Sequence, residues 1–211
     1  MYTPHSFTVN DIKTIHEFIK THSFATIFSQ HGNSPSATHL PFIIDTEAGE
    51  RGILSAHMAR ANPLWKTWTP ETQVLVVFTG PHAYISPGWY ENQIAVPTWN
   101  YSAVHAYGKP QLIHDPVLLR PMVEALVQIY EKKEASTWDH SLMESIMDIE
   151  LKAIVGFQVV IEKFEAKFKF NQNRSREDRD GVREALAKTA CPFKQETASF
   201  MNKLALKEEI Q

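Results

Sequence analysis

Gln73-Val74-Leu75-Val76-Val77-Phe78-Thr79 is the stretch that decides the fold. Its apolar run, Val74 to Phe78, is short, rich in β-branched and aromatic residues, and bounded by Gln73 and Gly80-Pro81. That combination reads as a buried strand and not as a helix. Downstream, Gly80-Pro81 reads as a turn, and residues 83–86 start another strand that Pro87 and Gly88 interrupt. Upstream, Asn62-Pro63 opens a short helix with Pro63 suited to its first position. Residues 52–56 form a strand entered from a hairpin turn at 47–50. Residues 23–29 and 38–44 read as two more strands around a turn at 31–34, the second irregular at Pro41. Before them Asn10 or Asp11 caps a helix that carries Ile12, Ile15, Phe18 and Ile19 and ends near Thr21.

Past Pro87 the pattern changes. Residues 99–113 make a long strand in which Tyr107, Gly108 and Pro110 predict a bend or bulge. Asp115-Pro116 starts a helix running to about Lys132, a second helical stretch covers 142–149, and 154–165 is a further strand. Residues 171–181 read as a polar loop leading into a helix, and 183–211 as a helix-prone tail broken at Cys191-Pro192. Many short strands with close turns, without regular βαβ alternation or a glycine-rich nucleotide loop, predict a mainly β protein with helices, a barrel or a sandwich.

Composition narrows the function classes. The chain has 211 residues, 43% of them hydrophobic, which suits one sizeable core or one domain with an appendage. A net charge of −3 makes the whole chain no electrostatic trap for DNA, although ten histidines would remove that balance near about pH 6. The single cysteine, Cys191, rules out an intrachain disulfide and a thiolate-based zinc site. No apolar run is long enough for a membrane span and no signal-peptide pattern opens the chain, so the expected location is cytoplasmic.

Four segments carry polar side chains in patterns suited to a ligand. In the first, His57, Arg60, Asn62 and Lys66 sit where a strand feeds a helix start, a place where charged donors and backbone amides receive phosphate. The same residues also serve as a plain polar connection with Asn62 as a cap. The second is 82–90, where Trp89 and Tyr90 follow a Pro-Gly reversal and suit either a flat ring or the core. The third sets Thr98, Asn100 and His105 beside aromatic walls, a mixture that suits an isoalloxazine ring or a barrel rim. The fourth, 167–180, offers Lys169 and Arg174 to a ligand phosphate, or else forms a solvated loop of mixed charge. The histidine spacings match no short zinc motif, and neither a Gly-x-Ser-x-Gly elbow nor a His-Glu-x-x-His pattern occurs.

Four strings together resemble the PaiB family, described as FMN-binding negative transcriptional regulators and as protease synthase and sporulation regulators. They are 57–63 with Trp65-Lys66, 81–87 with Trp89-Tyr90, 96–101 with Val104-His105 and Tyr107-Gly108, and 172–174 with 178–179 and 181–182. The match runs from near Met1 to about Leu186. The resemblance implies a split β-barrel of the pyridoxamine-phosphate-oxidase-like kind over 1–186, with a helical tail at 187–211. It also implies FMN as cofactor, bound at the interface of a homodimer. On this reading His57, Asn62 and Lys66 hold the phosphate end, Thr98, Asn100 and His105 flank the ring or ribityl chain, Lys169 and Arg174 close the site, and Arg60 is a further cofactor-binding residue. The family's link to repression makes DNA a candidate partner, yet the chain has no convincing helix-turn-helix and no strongly basic face. A flavin oxidoreductase and a haem-binding protein on the same barrel stand as the alternatives.

Overall fold

The computed structural model describes residues 1–134 and 137–210. The elements run α1 (Ile12–Thr21), β1 (Phe24–His31), β2 (Ser34–Pro41), β3 (Ile43–Asp45), β4 (Ile53–Ala59), β5 (Val74–Ile85), β6 (Thr98–Ile113), α2 (Pro116–Glu134), α3 (Glu144–Ala153), β7 (Ile154–Lys169), α4 (Arg176–Ala187) and α5 (Pro192–Ile210). Short 3-10 helices lie at His5–Phe7, Leu64–Thr67, Pro87–Trp89 and His140–Met143. The strands form one sheet in the order β2-β1-β5-β6-β7-β4-β3. The pairs β1–β2, β1–β5, β3–β4 and β4–β7 are antiparallel. The chain divides into two compact units: Ile19–Phe78 with His105–Phe164, and Met1–Phe18 with Thr79–Val104 and Glu165–Gln211.

In the first of these units β1 and β2 pair from Phe24↔Pro41 to His31↔Ser34, around Gly32 at φ 56, a conformation that glycine adopts without strain. β4 pairs with β7 from Ile53↔Val160 to Ala59↔Ile154. Alternation along β4 buries Leu54, Ala56 and Met58 and leaves Ser55 and His57 on the other face. Phe157 meets Phe42 at 6.0 Å and Trp68 at 5.0 Å, both edge-on, the arrangement aromatic quadrupoles favour. Leu119 of α2 and Met147 and Leu151 of α3 form a buried cluster with Ile113, Met122 and Ile154 against it. Each such side chain contributes about 1.5–3 kcal/mol on burial.

The second unit is built around four phenylalanines. Phe168 lies 5.0 Å from Phe18 and 5.3 Å from Phe200, which also meets Phe170 at 4.9 Å. The N-terminal segment runs beside β7, with Val9 donating to the Ala166 carbonyl at 3.1 Å and the Met1 ammonium paired with Glu165. The Asp178 carboxylate, buried on α4, accepts from the Glu91 backbone at 3.0 Å. Helices α4 and α5 pack on each other.

Most expected elements are present, and Asp11, the helix cap, accepts from Thr14 at 2.8 Å. Four local readings are corrected. Gly80-Pro81 does not turn the chain, because β5 runs unbroken through it. The glycine is there for a close approach, since a Cβ would come 2.7 Å from the Phe18 ring. The expected strand at 38–44 is two strands, β2 and β3, parted at buried Phe42, which turns into the core. Pro63 precedes the 3-10 helix as its cap residue and not as its first helical one. The loop after Asn171 ends early: Ser175 accepts from Asp178 as an N-cap, so 176–181 are already helical. In the long strand β6, Gly108 marks a close approach. A Cβ there would strike the Val160 carbonyl and come 2.9 Å from Val159.

Two glycine substitutions test this packing. Gly108→Ala meets backbone that cannot step aside, and is expected to cost about 1–3 kcal/mol in urea unfolding. Gly88→Ala meets nothing nearer than Ser86 Oγ at 3.4 Å and is expected to stay within about 0.5 kcal/mol of wild type. Equal effects would contradict the close approach.

Candidate functional site

The β4 end and the connection after it carry the first group of candidate residues. His57 pairs across the strands with Gly156. Its Nδ1 atom is buried and has no hydrogen-bond partner. Burial lowers the His57 pKa below the ordinary imidazole value, so the ring is neutral at neutral pH. Arg60 anchors the strand end: its Nε donates to the Lys152 carbonyl at 2.8 Å and its Nη2 to the Ile154 carbonyl at 2.6 Å. Its backbone N–H also donates to the Ala153 carbonyl at 2.8 Å. Asn62 is similarly engaged. Its Oδ1 accepts from the Leu64 backbone at 2.9 Å, and its Nδ2 donates to Thr38 Oγ1 at 3.0 Å. Lys66 is exposed, its ammonium 5.6 Å from the centre of the Trp65 ring. Trp65 is fixed in turn by donating to the Arg60 carbonyl at 3.1 Å. The structure thus places His57, Arg60, Asn62 and Lys66 on one short stretch, with two of the four holding backbone. His105 lies on β6 with its ring 6.3 Å from that of Tyr107.

The other unit holds a second group. Lys169 donates to Thr98 Oγ1 at 2.5 Å. The Lys169 pKa is lowered, first by burial and next by the Lys167 charge, with Tyr101 opposing. Asn100 is fully buried; its Nδ2 donates to Asn171 Oδ1 at 2.5 Å, and its Oδ1 has no partner. Asn171, at φ 64, donates to the Tyr90 hydroxyl at 2.9 Å. Arg174 lies over the Tyr90 ring at 4.7 Å and 3.9 Å from Asp178. Asn100 and Arg174 therefore belong to an internal polar network built on Tyr90, Asn171 and Asp178.

Sequence reasoning missed three members of these groups. Lys167 is buried, donates to the Tyr2 carbonyl at 3.1 Å, and lies 5.1 Å from the Tyr101 ring centre. Its signal was available: Lys167 and Lys169 are two apart on a strand and so share a face. Asn171 and Asp178 lie in a segment that reads as a polar loop; burial and bonds to the Tyr90 hydroxyl and the Glu91 backbone distinguish them. Among the described residues no group of histidines, cysteines and acids is arranged to hold a metal. No helix there is long and apolar enough to cross a membrane.

The family described as "Putative FMN-binding domain" matches residues 1–163. The chain is 36% identical over 212 residues to "Protease synthase and sporulation protein PAI 2" of Bacillus subtilis, covering 100% of both chains. It is 33% identical to "Uncharacterized protein AN0679" of Emericella nidulans, over 69% of this chain and 72% of that one. Among solved structures, the flavocytochrome Anf3 from Azotobacter vinelandii aligns with a TM-score of 0.59 at 15% identity, covering 83% of this chain and 76% of that one. The FAD and heme binding protein from Mycobacterium smegmatis aligns at 0.57 and 14%, covering 77% and 73%. These structural likenesses show the fold, a split β-barrel with helices at its C-terminal end. Matched by the FMN-binding domain over most of its length and by the Bacillus protein from end to end, the chain belongs to the PaiB-type family of FMN-binding proteins.

Proposed function

We propose that this chain is an FMN-binding regulator of the PaiB type that works in the cytoplasm as a homodimer, with flavin bound at the dimer interface. The observation that carries the reading is the buried His57 Nδ1, a polar atom without a partner inside the matched residues 1–163. Leaving such an atom unsatisfied costs about 1–3 kcal/mol, which a bound polar ligand recovers. The donor set suits a flavin phosphate: His57 offers a ring nitrogen and Lys66 an exposed ammonium 5.6 Å from the centre of the Trp65 ring. Arg60 and Asn62 act as positioning residues, since their side chains already hold the strand end and the turn that leads to Leu64. FMN supplies redox chemistry when bound; the chain's own residues bind and orient it. His105, in the same unit as His57 and Lys66, is assigned to the flavin as a polar contact. In the other unit Lys169 holds Thr98, and Asn100 and Arg174 belong to the network of Asn171 and Tyr90. Residues 1–186 are taken as the flavin-binding part, with 187–211 as its helical tail.

Dimerisation is supported by an exposed aromatic face in one unit. Trp99 lies 6.1 Å from Tyr84 and 6.4 Å from His82, which stacks on Phe193 at 6.2 Å. Trp99 is 54% and Phe193 63% exposed, and Ile94 of the same unit is 93% exposed. Apolar surface of this kind marks association sites. Regulation by direct DNA contact is no part of the proposal, because the net charge of −3 offers no phosphate-binding excess. The link to regulation rests on the resemblance to the PaiB family, described as negative transcriptional regulators; the name of the Bacillus subtilis relative speaks of protease synthase and sporulation.

Three outcomes are expected. In fluorescence titrations Lys66→Ala weakens FMN binding by about tenfold or more, while Lys188→Ala, removing an exposed lysine paired with Glu184, leaves it unchanged. Equal effects would remove the phosphate assignment. His57 gives a pH signature. Its pKa is lowered in the free protein, and a phosphate dianion beside it favours the protonated ring, so binding takes up a proton. FMN affinity therefore rises as pH falls from about 8.5 towards 6.5, above the phosphate's own pKa of about 6. His57→Gln flattens that slope; an unchanged slope in the variant would exclude His57. In sedimentation the wild-type chain is expected to run as a dimer and Trp99→Glu as a monomer, and a monomeric wild type would end the dimer reading.

A further inference from the structure

In the first unit, residues from the end of α1, from β3 and from the C-terminal half of α2 line a cleft of about 260 Å³. Its apolar lining comes from Phe42, Ile43 and Ile44 on the chain entering β3 and from Ile129 and Tyr130 of α2. Phe42 is buried, its ring 5.8 Å from that of Phe78 and 6.0 Å from that of Phe157, so this part of the lining is anchored in the core. The polar groups are few. Ser23 and Tyr130, both in the lining, share a hydrogen bond of 2.8 Å between their hydroxyls. A hydroxyl oxygen has two lone pairs, so Ser23 Oγ keeps at least one of them whichever of the two groups donates. Lys20, exposed at the end of α1, is the one charged residue of this lining. Both signs of charge follow on the same elements, with Glu17 before Lys20, Asp45 after Ile44, and Glu131 and Lys132 after Tyr130. Such a mixture selects no ion, and recognition falls to the hydroxyl pair and the apolar walls.

We propose that this cleft binds a small neutral phenol, at a site separate from the flavin's. The ligand hydroxyl donates to Ser23 Oγ, and its ring lies against the aromatic and isoleucine walls. An apolar cavity of about 150 Å³ already takes a benzene ring, so this cleft has room for a ring with a hydroxyl and a short alkyl substituent. It is smaller than the roughly 300 Å³ at which pockets for drug-sized ligands begin, which excludes larger ring systems. The hydroxyl pair separates a phenol from a hydrocarbon or an ether of the same shape, since only the phenol brings an O–H to the open lone pair. None of the lining residues is among those assigned to FMN.

p-Cresol is the probe, titrated by calorimetry into the full chain with and without saturating FMN. Saturable binding is expected in both conditions, with the methyl ether of p-cresol, which lacks the O–H, at least about tenfold weaker. Ser23→Ala combined with Tyr130→Phe removes both hydroxyls together, so neither is left without the other. That variant is expected to bind p-cresol and its ether within about twofold of each other. Ile129→Trp fills the cleft from a position that is 39% exposed and is expected to abolish p-cresol binding. Both variants keep the wild-type FMN titration, and should one of them fail to fold, the other decides. Any of four results would overturn the site: no saturable binding of p-cresol to wild type at about 10 mM, equal affinity of wild type for p-cresol and its ether, unchanged p-cresol affinity in Ile129→Trp, or binding only while FMN is absent. A chain that takes up no FMN refutes the flavin reading alone, and the titration without flavin still decides the cleft.

Discussion

The register of β4 on β7 fixes the geometry of the β4 side of the candidate site. With His57 opposite Gly156 and Ala59 opposite Ile154, the odd-numbered side chains of β4 point away from the core that Leu54, Ala56 and Met58 fill. A slip of one residue would exchange the faces, burying His57 and exposing three apolar residues. Arg60 guards against that slip. Its guanidinium bonds two carbonyls at the α3–β7 junction and its backbone N–H a third, so the strand end can meet β7 in only one alignment. Asn62 then carries the restraint onward, tying the turn to Thr38 of β2 while its Oδ1 accepts from the backbone of Leu64, the first residue of the 3-10 helix that holds Lys66. Gly156 completes the arrangement, because a side chain there would press on Met122, 2.5 Å from where its Cβ would lie.

This dual use of polar residues explains how far the sequence could be read. The strand Val74 to Phe78 and the helix capped by Asp11 were legible because local pattern and tertiary burial agree there. Gly80-Pro81 was misread because a glycine that permits a turn and a glycine that admits a neighbouring ring carry the same letter. The strand at 38–44 was read as continuous because nothing local reveals that Phe42 leaves the strand pattern for Phe78 and Phe157. In the candidate site, the right stretch of chain could be located, but the division of labour within it could not. Arg60 and Asn62 have the chemistry of phosphate ligands, and only three-dimensional neighbours show that backbone carbonyls and Thr38 claim them first.

Asn100 makes the same point from the interior. Its amide lies at zero exposure, where burial of an unpaired polar group is expensive. For Nδ2 the cost is offset by a chain of bonds through Asn171 to Tyr90, whose ring Arg174 covers, while Oδ1 is left without a partner. Asn171 accepts a left-handed backbone in doing so, a conformation that asparagine tolerates better than other side-chain-bearing residues. The string at 172–174 therefore owes its composition at least partly to closing this network.

Lys167 and Lys169 are the least expected pairing. Lys167 is 7% exposed, and a cation so placed pays a desolvation cost of several kcal/mol unless other groups compensate. Compensation comes from the Tyr2 carbonyl and from the faces of Tyr2 and Tyr101, at 5.7 and 5.1 Å. Such ring contacts supply about 2 kcal/mol when desolvated, so they offset only part of the cost. The N-terminal segment thus does structural work, because Thr8 bridges to Lys167 and Met1 pairs with Glu165, which brings Tyr2 over the buried charge. A consequence is felt two residues away: the retained charge of Lys167, added to burial, makes Lys169 easier to deprotonate than a surface lysine.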